Sequence, residues 1–316
     1  MIKRTLYFGN PAYLSLNSAQ LIVRLPQVEK NNTLGELFKK EAQASIPVED
    51  IGIIVLDHKQ LTLTNALLDA LLQNNVAVIT CNSTHHPLGL LLPLQSNTIQ
   101  NERYRAQLDA SEPLKKQLWQ HTVVQKIKNQ AAVLEQNKLH TGALFPLWQN
   151  VKSGDSGNCE ATAASIYWSS LGVKLTNGNG AALFRRHREG IAPNNYLNYG
   201  YALLRATMAR SIVGAGLLPT LGIHHANRYN AYCLADDLME PYRPYVDKLV
   251  LHIVHAHGLV DDLPKEIKAT LLQIPVMDVM LDGEKSPLMN ATQRTAVSIV
   301  KCFTGELRKP LYPVLE

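Results

Sequence analysis

The spacing of the hydrophobic residues changes near residue 98 of this 316-residue chain. Before that point, short apolar runs are bounded by turn residues, which is typical of β-strands. After it, apolar residues recur at the three- and four-residue spacing of amphipathic helices. The chain is long enough for two domains. The change therefore predicts an α+β protein, with a small β-rich, β-sandwich-like domain over residues 1–90 and a larger all-α domain over residues 91–316.

Three apolar runs separated by turn residues predict a β-meander in the first part of the chain. The runs are residues 5–8, 12–16 and 21–25. Further strands are predicted at residues 51–56 and 76–80, with a leucine-rich helix at residues 64–73 between them. The leucine run at residues 87–93 starts and ends with proline, so it is predicted to connect the two domains.

Charge and cysteine content restrict the class of protein only mildly. Lys and Arg outnumber Asp and Glu by 31 to 26, a balance that allows a polyanionic partner without requiring one. The four cysteines form no C-x-x-C pair, which favours reduced thiols in a cytoplasmic protein over disulfides or structural zinc. The apolar run at residues 211–223 contains Pro219 and is too short to cross a bilayer. The sequence therefore predicts neither a membrane segment nor a signal peptide.

The sequence lacks the motifs that mark several large enzyme classes. The sequence has no G-x-x-x-x-G-K-[ST] phosphate-binding loop and no H-E-x-x-H zinc motif. The glycines at 178 and 180 lack the third glycine and the preceding strand of a dinucleotide-binding fingerprint.

Glu160 is a first candidate for chemistry. It stands at the predicted start of a helix, after a glycine-rich lead and among small residues such as Ala161 and Ala164. A glutamate in the first turn of a helix is stabilised by the helix dipole, which explains it without any catalytic role. Small neighbours would also let a ligand approach closely. This segment alone leaves both interpretations open.

A second candidate cluster combines two histidines with three acids. His224 and His225 come before a helical stretch in which Asp236 and Asp237 can share a face with Glu240. Imidazole and carboxylate groups suit a hydrated Mg²⁺ or Mn²⁺ ion, which keeps open positions for phosphate oxygens. The alternative is a pair of capping or buried histidines beside a solvated acidic helix face.

Basic and aromatic residues of the helical half could contact nucleic acid. The candidate DNA contacts are Arg185, Arg186, Arg188, Arg228 and Arg243, and the wider basic set includes Lys115, Lys116, Lys126, Lys128, Arg205 and Arg210. A solvated basic face explains such residues equally well. The aromatic residues Tyr167, Trp168, Tyr242 and Tyr245 could stack on bases, although aromatic residues on helix faces more often belong to the core.

Four sequence blocks together resemble the family of CRISPR-associated protein one, the adaptation integrase. The blocks are Glu160 with the following Tyr167-Trp168, residues 193–201, residues 222–225 and residues 234–244. Their order and spacing match the family, and the resemblance covers essentially the whole chain. The last two blocks resemble most closely the versions found in type II systems.

The resemblance implies a metal site made of a glutamate, a histidine and a second acid. The matching positions are Glu160, His225 and Glu240. His225 is preferred to His224 because the family pattern is Gly-x-x-His and because His225 lies fifteen residues before Glu240. Asp237 falls where some relatives carry an aspartate, so we expect Asp237 to support the metal ligands or to act as an occasional ligand itself. His224 is a neighbour of the site to which no role is assigned.

The resemblance further implies an enzyme that uses Mg²⁺ or Mn²⁺ to join the 3′-hydroxyl ends of short double-stranded DNA to the CRISPR repeat by transesterification, and to cleave DNA by hydrolysis. It implies two homodimers bridged by a dimer of CRISPR-associated protein two, with partner contacts made by the β-rich domain. Two alternatives stay open, namely a metal-dependent phosphoesterase that joins no ends and a catalytically silent DNA-binding scaffold.

Overall fold

The computed structural model describes residues 3–31, 33, 35, 39, 42–176, 184–187 and 190–316. The chain divides into two compact units, Met1–Ser96 and Asn97–Glu316. Strands dominate the first unit and helices the second, which confirms the predicted α+β class. Within the described residues, every helix is too short or too polar to cross a membrane.

The N-terminal unit contains two four-stranded sheets. Its elements are β1 (Arg4–Phe8), β2 (Ala12–Asn17), β3 (Gln20–Arg24), α1 (Pro26–Glu29), β4 (Ala44–Pro47), β5 (Ile51–Leu56), β6 (Leu61–Leu63), α2 (Asn65–Gln73), β7 (Ala77–Cys81) and β8 (Pro87–Leu91). In one sheet, β1, β5 and β7 run parallel and β8 is antiparallel to β7. In the other, β3 is antiparallel to both β2 and β4, and β6 is parallel to β2.

The predicted β-meander is wrong, because β1 and β2 belong to different sheets. β2 and β3 form the expected hairpin, but β1 pairs with β5, a strand distant in sequence. Residues 87–91 are a strand and not the predicted connector. Pro87 is tolerated because it begins an edge strand, where few backbone N–H groups are needed for pairing.

One hydrophobic core joins apolar residues of both sheets with one face of α2. Leu14, Ile51 and Ile54 from the strands pack in the same cluster as Leu67 and Leu71 from the helix. The helix begins after Thr64, whose side-chain oxygen accepts the N–H of Leu67. This N-cap and the four-residue spacing of the two buried leucines account for the predicted helix.

The C-terminal unit is mostly helical. Its helices are α3 (Gln100–Leu108), α4 (Glu112–Gln136), α5 (Phe145–Gln149), α6 (Cys159–Leu175), α7 (Asn194–Gly214), α8 (Cys233–Met239), α9 (Arg243–His257), α10 (Lys265–Leu271) and α11 (Leu288–Phe303). α4 is largely buried and contacts α6, α9 and the 3-10 turn Glu240–Tyr242. That turn separates α8 from α9, so Glu240 stands at a joint between two helices beside α4.

A hairpin in the C-terminal unit was not predicted. It consists of β9 (Asp278–Leu281) and β10 (Glu284–Pro287), which pair antiparallel. The two turn residues, Asp282 and Gly283, have φ angles of 55° and 75°. Positive φ at both positions is what a type I′ turn requires, and Asp-Gly is a preferred sequence for it. This short hairpin was not predicted because the hydrophobic spacing of the surrounding residues is helical.

Truncation of Leu71 tests the N-terminal core. Leu71 is fully buried, whereas Leu72 on the same helix is only partly buried. We expect Leu71→Ala to lower the free energy of unfolding by about 2–5 kcal/mol, because it leaves a cavity. Leu72→Ala should have a clearly smaller effect. Denaturant unfolding followed by far-UV circular dichroism measures both, and equal losses would contradict the core described here.

Candidate metal centre

Lys126 of α4 lies between the two predicted acidic ligands. Its ammonium group donates a hydrogen bond to Glu160 Oε1 and lies 2.5 Å from Glu240 Oε2. Lys126 and Glu240 are buried, whereas about a third of the Glu160 side chain (30%) is exposed. The structure therefore brings the carboxylates of α6 and of the 3-10 turn onto one cation.

Positive charges near Glu240 affect its pKa more strongly than its burial does. Arg243 Nη2 lies 3.1 Å from Glu240 Oε1. Burial alone raises the pKa of Glu240, but the positive charges of Arg243 and Lys126 hold that pKa below its ordinary value. Burial likewise disfavours the charged form of Lys126, yet Glu240 and Glu160 raise its pKa above the ordinary value. The carboxylate of Glu240 and the ammonium of Lys126 are thus both charged near neutral pH.

Asp155 fixes the start of the helix that carries Glu160. Its Oδ1 accepts the N–H of Cys159 and its Oδ2 accepts the N–H of Glu160, both at 2.9 Å. The first N–H groups of a helix lack partners inside the helix, so a carboxylate there stabilises the end and sets its direction. Asp155 was not among the residues predicted from the sequence. Its position just before the predicted helix could have identified it as a capping residue.

Asp237 of α8 organises the histidine segment. Its buried carboxylate accepts the N–H groups of Ile223 and His224 at 2.7 and 2.9 Å. It also lies 2.5 Å from Nδ1 of His225, a side chain that is 45% exposed. The hydrogen bond to Asp237 raises the pKa of His225. Because Nδ1 is engaged with Asp237, Nε2 is the ring nitrogen that can bind a metal ion.

Gly222 explains part of the Gly-x-x-His spacing. A Cβ atom at this position would lie 2.3 Å from the carbonyl oxygen of His225 and 2.7 Å from Asp237 Oδ2. Any side chain at position 222 would therefore displace the carboxylate that holds the histidines.

His224 lies beside the site in a different environment. Its ring stacks on Trp119 of α4, with centroids 4.1 Å apart and planes 1° from parallel. Burial lowers the pKa of His224, which favours its neutral form. Trp119 also contacts the ring of His225 edge-on, with centroids 5.6 Å apart. One aromatic side chain thus packs against both histidines.

The donor set fits a hard divalent cation with oxygen and nitrogen ligands. Glu240 Oε2 is buried and lies 2.5 Å from the ammonium group of Lys126, so a bound cation would take the place of that ammonium group. In the described part of the chain, no three His, Cys, Asp or Glu side chains are already close enough to hold an ion. Metal binding therefore requires a local shift of side chains.

The structure separates the predicted DNA contacts into two groups. Arg185 is exposed, and Arg228 is exposed with its guanidinium 4.8 Å from the ring centroid of Tyr229. Arg186 instead donates to Asn198 Oδ1 at 2.7 Å, and Arg243 faces Glu240. Arg188 lies outside the described residues.

Other members of the predicted basic set also have internal roles. Lys126 is part of the site, and Arg205 pairs with Asp236 at 2.7 Å. Arg210 is buried, and burial lowers its pKa to about 10. Lys126 and Arg210 are therefore packed inside the helical unit, whereas 43% of the Arg205 side chain is exposed.

A buried network lies behind Arg243. Its guanidinium lies 4.9 Å from the ring centroid of Tyr201, and Arg186 lies 5.1 Å from the same centroid. Tyr201 and Tyr167 both donate to the carboxylate of Asp247. Burial raises the pKa of Asp247 to about 6. The sequence did not indicate this network.

Three of the aromatic residues considered for base stacking are core residues. Tyr167 and Tyr242 are fully buried and Tyr245 is nearly so. Tyr242 also hydrogen-bonds to Thr295. Buried rings cannot stack on exposed bases, so the core interpretation is correct for these three tyrosines.

Comparisons with known proteins agree on one family. The family model described as CRISPR associated protein Cas1 matches residues 8–275. The chain is 34% identical over 314 residues to a CRISPR-associated endonuclease Cas1 of Neisseria meningitidis serogroup C, covering 98% of this chain and 95% of the relative.

Solved structures share the fold. A casposase bound to integration product has a TM-score of 0.75 at 20% identity and covers 97% of this chain and 92% of its own. A Cas6-RT-Cas1–Cas2 complex has a TM-score of 0.71 at 19% identity over 97% of this chain and 35% of the longer one.

Replacement of Lys126 by methionine tests the shared cation. We expect Lys126→Met to lower the free energy of unfolding by about 3 kcal/mol or more at neutral pH, because it leaves buried carboxylate charge without its partner. The deficit relative to wild type should shrink in acid. The folded pKa of Glu240 is depressed, so its contribution is present above the unfolded value and is lost as the pH falls below 4.5 through the folded value.

Lys128→Met is the matched control, since Lys128 is exposed on the same helix. Its unfolding free energy should stay within about 0.5 kcal/mol of wild type. Guanidinium unfolding at several pH values compares the two variants. A pH-independent deficit, or equal effects of the two variants, would contradict the arrangement.

Proposed function

This chain belongs to the CRISPR-associated Cas1 family, and we propose that it is a metal-dependent DNA integrase and endonuclease of CRISPR adaptation. The observation that carries the proposal is the convergence of Glu160 and Glu240 on one cation position, with His225 held nearby by Asp237. The Neisseria relative is named a CRISPR-associated endonuclease, and this name supports a nuclease activity.

In this proposal, Glu160, His225 and Glu240 are the ligands of a Mg²⁺ or Mn²⁺ ion. Such an ion would favour loss of the proton from a DNA 3′-hydroxyl and would offset the charge that develops on the attacked phosphate and on the oxygen that leaves it. The attacking group comes from the DNA end, so the protein needs no covalent nucleophile of its own. Water in place of the 3′-hydroxyl gives cleavage at the same site.

Residues around the ligands limit their motion. Asp237 orients the imidazole of His225 through Nδ1. Arg243 pairs with Oε1 of Glu240, which leaves Oε2 as the oxygen that faces Lys126. Preorganised ligands reduce the reorganisation needed when the phosphate becomes more negative. Lys126 must share or leave the carboxylates when the ion binds.

The proposed partners are double-stranded DNA with 3′ ends, CRISPR repeat DNA and a dimer of the Cas2 protein. Two homodimers of this chain would be bridged by that Cas2 dimer. Fold similarity to the chain of a Cas6-RT-Cas1–Cas2 complex is compatible with such an assembly. Three further statements remain predictions: the roles of the two domains, the type II subtype and the cytoplasmic location.

Strand transfer on a labelled branched DNA tests the proposal. In Mg²⁺ or Mn²⁺, wild type should join the DNA strands, whereas Glu160→Ala should lose at least about a hundredfold in rate, because a metal ligand is removed. A substrate without the attacking 3′-hydroxyl should give no joined product. Glu135→Ala, which removes an exposed glutamate of α4, is the control and should react like wild type.

The other outcomes identify the alternatives. Cleavage products that form equally well without the 3′-hydroxyl, with no joining by wild type, would indicate a phosphoesterase. DNA binding without any metal-dependent product, unchanged in Glu160→Ala, would indicate a silent scaffold. Either result would overturn the integrase proposal.

Substitution of two arginines distinguishes a residue that contacts DNA from a residue that stabilises the metal centre. Arg228→Ala removes an exposed charge, so we expect weaker DNA binding and a salt dependence reduced by about one phosphate contact. Arg243→Ala removes the partner of Glu240, so its main expected effect is lower thermal stability. Fluorescence anisotropy at several salt concentrations and thermal unfolding measure these effects. An unchanged salt dependence in Arg228→Ala would exclude that residue from the DNA surface.

A further inference from the structure

A second cluster of ionisable groups lies in the N-terminal unit, outside the candidate metal centre. It lines a cavity of about 580 Å³ at the carboxyl ends of β5 and β7. The residues that matter are Asp57, His58, Lys59, Asn82, Ser83 and His85. In open sheets of parallel strands, ligands bind at this edge, where loops replace strand pairing.

Asp57 is buried behind His85 and is fully engaged. Its Oδ2 accepts the hydroxyl of Tyr7 at 2.5 Å, and its Oδ1 lies 2.8 Å from Nδ1 of His85. The Asp57 side chain is 1% exposed, whereas His85 is 58% exposed. The carboxylate therefore faces the imidazole and not the solvent. This contact fixes the orientation of the His85 ring.

The loop that carries His85 has a defined conformation. Asn82 Oδ1 accepts the N–H groups of Thr84 and His86 at 3.0 and 2.9 Å. His85 itself adopts a left-handed φ of 63°, which side chains other than glycine adopt infrequently. The turn and the contact with Asp57 together hold the imidazole at the edge of the cavity.

The cavity is lined by hydrogen-bond donors. Nδ1 of His58 accepts the N–H of Gln60 at 3.0 Å, so the neutral ring carries its proton on Nε2. The carbonyl oxygen of the Asn82 side chain is used within the turn, which leaves its NH₂ group as the donor end. Lys59 is exposed and adds a positive charge, and Ser83 adds a hydroxyl.

We propose that this cavity binds a phosphate group, with Lys59 as the charged donor and with the His85 ring, which Asp57 holds in place, facing the phosphate. A cation is disfavoured, because Asp57, the one acid among the described residues that line the cavity, is buried and has both carboxylate oxygens engaged. A phosphate accepts several hydrogen bonds at once, and bonds to a charged donor are the strongest. The phosphate can belong to a DNA strand or to a free phosphate or nucleotide. The proposal is independent of the metal centre.

Calorimetric titration of the full-length protein with inorganic phosphate, with a chelator present, tests the site. Wild type should show saturable binding. His85→Asn should weaken it about tenfold, because one charge-assisted hydrogen bond is lost, and asparagine tolerates the left-handed backbone. Lys59→Gln, an exposed change that does not threaten folding, should weaken binding as well. Arg24→Gln, an exposed change on a strand of the other sheet, is the control and should bind as wild type does.

The source of the phosphate is resolved by repeating the titrations with a 5′-phosphorylated DNA duplex and its unphosphorylated form. If His85→Asn weakens binding of both inorganic phosphate and DNA, the site takes a DNA phosphate. If it weakens inorganic phosphate alone, the site takes a free phosphate or nucleotide. Absence of saturable phosphate binding by wild type would overturn the proposal. Equal weakening by Arg24→Gln and by the two cavity variants would also overturn it.

Discussion

The ion cluster of Lys126 with Glu160 and Glu240 connects the fold of the helical unit to its chemistry. Two buried or half-buried carboxylates repel each other unless a cation lies between them. The ammonium of Lys126 supplies that cation, and through it α4 holds the start of α6 and the joint between α8 and α9 together. The same geometry that stabilises the helices therefore brings two of the three predicted metal ligands together.

Each predicted ligand is held in place by a neighbouring charged side chain. Asp155 sets the helix end that carries Glu160, and Asp237 holds the segment that carries His225. Arg243 holds Glu240 and in turn packs on Tyr201, which hydrogen-bonds to Asp247. Ligands held in this way lose little freedom when an ion binds, which favours a precise site over a flexible one.

The sequence predicted the class of fold, because hydrophobic period distinguishes strands from helices reliably when segments are long. It predicted the pairing of β2 with β3 but not the pairing of β1. β1 is close to β2 in sequence but pairs with β5, since parallel pairing depends on packing of distant segments. The β9–β10 hairpin was missed because each strand has only four residues.

For the site, too, the sequence indicated the residues that belong to local motifs but not the residue that tertiary packing places between them. The resemblance named Glu160, His225 and Glu240, and the structure brings the two glutamates onto one cation. Lys126 was grouped with surface charges, although its position three and four residues after the buried Val123 and Thr122 placed it on the apolar face of α4. A lysine on such a face needs a buried partner, and composition alone cannot identify which one.

The most direct test of the account is a crystal structure of the protein with Mn²⁺, using anomalous scattering to locate the ion. The account predicts one peak within ligand distance of Glu160, His225 Nε2 and Glu240, with the ammonium of Lys126 displaced from between the carboxylates. An ion elsewhere, or no ion with Lys126 still bridging the two glutamates at saturating Mn²⁺, would contradict it.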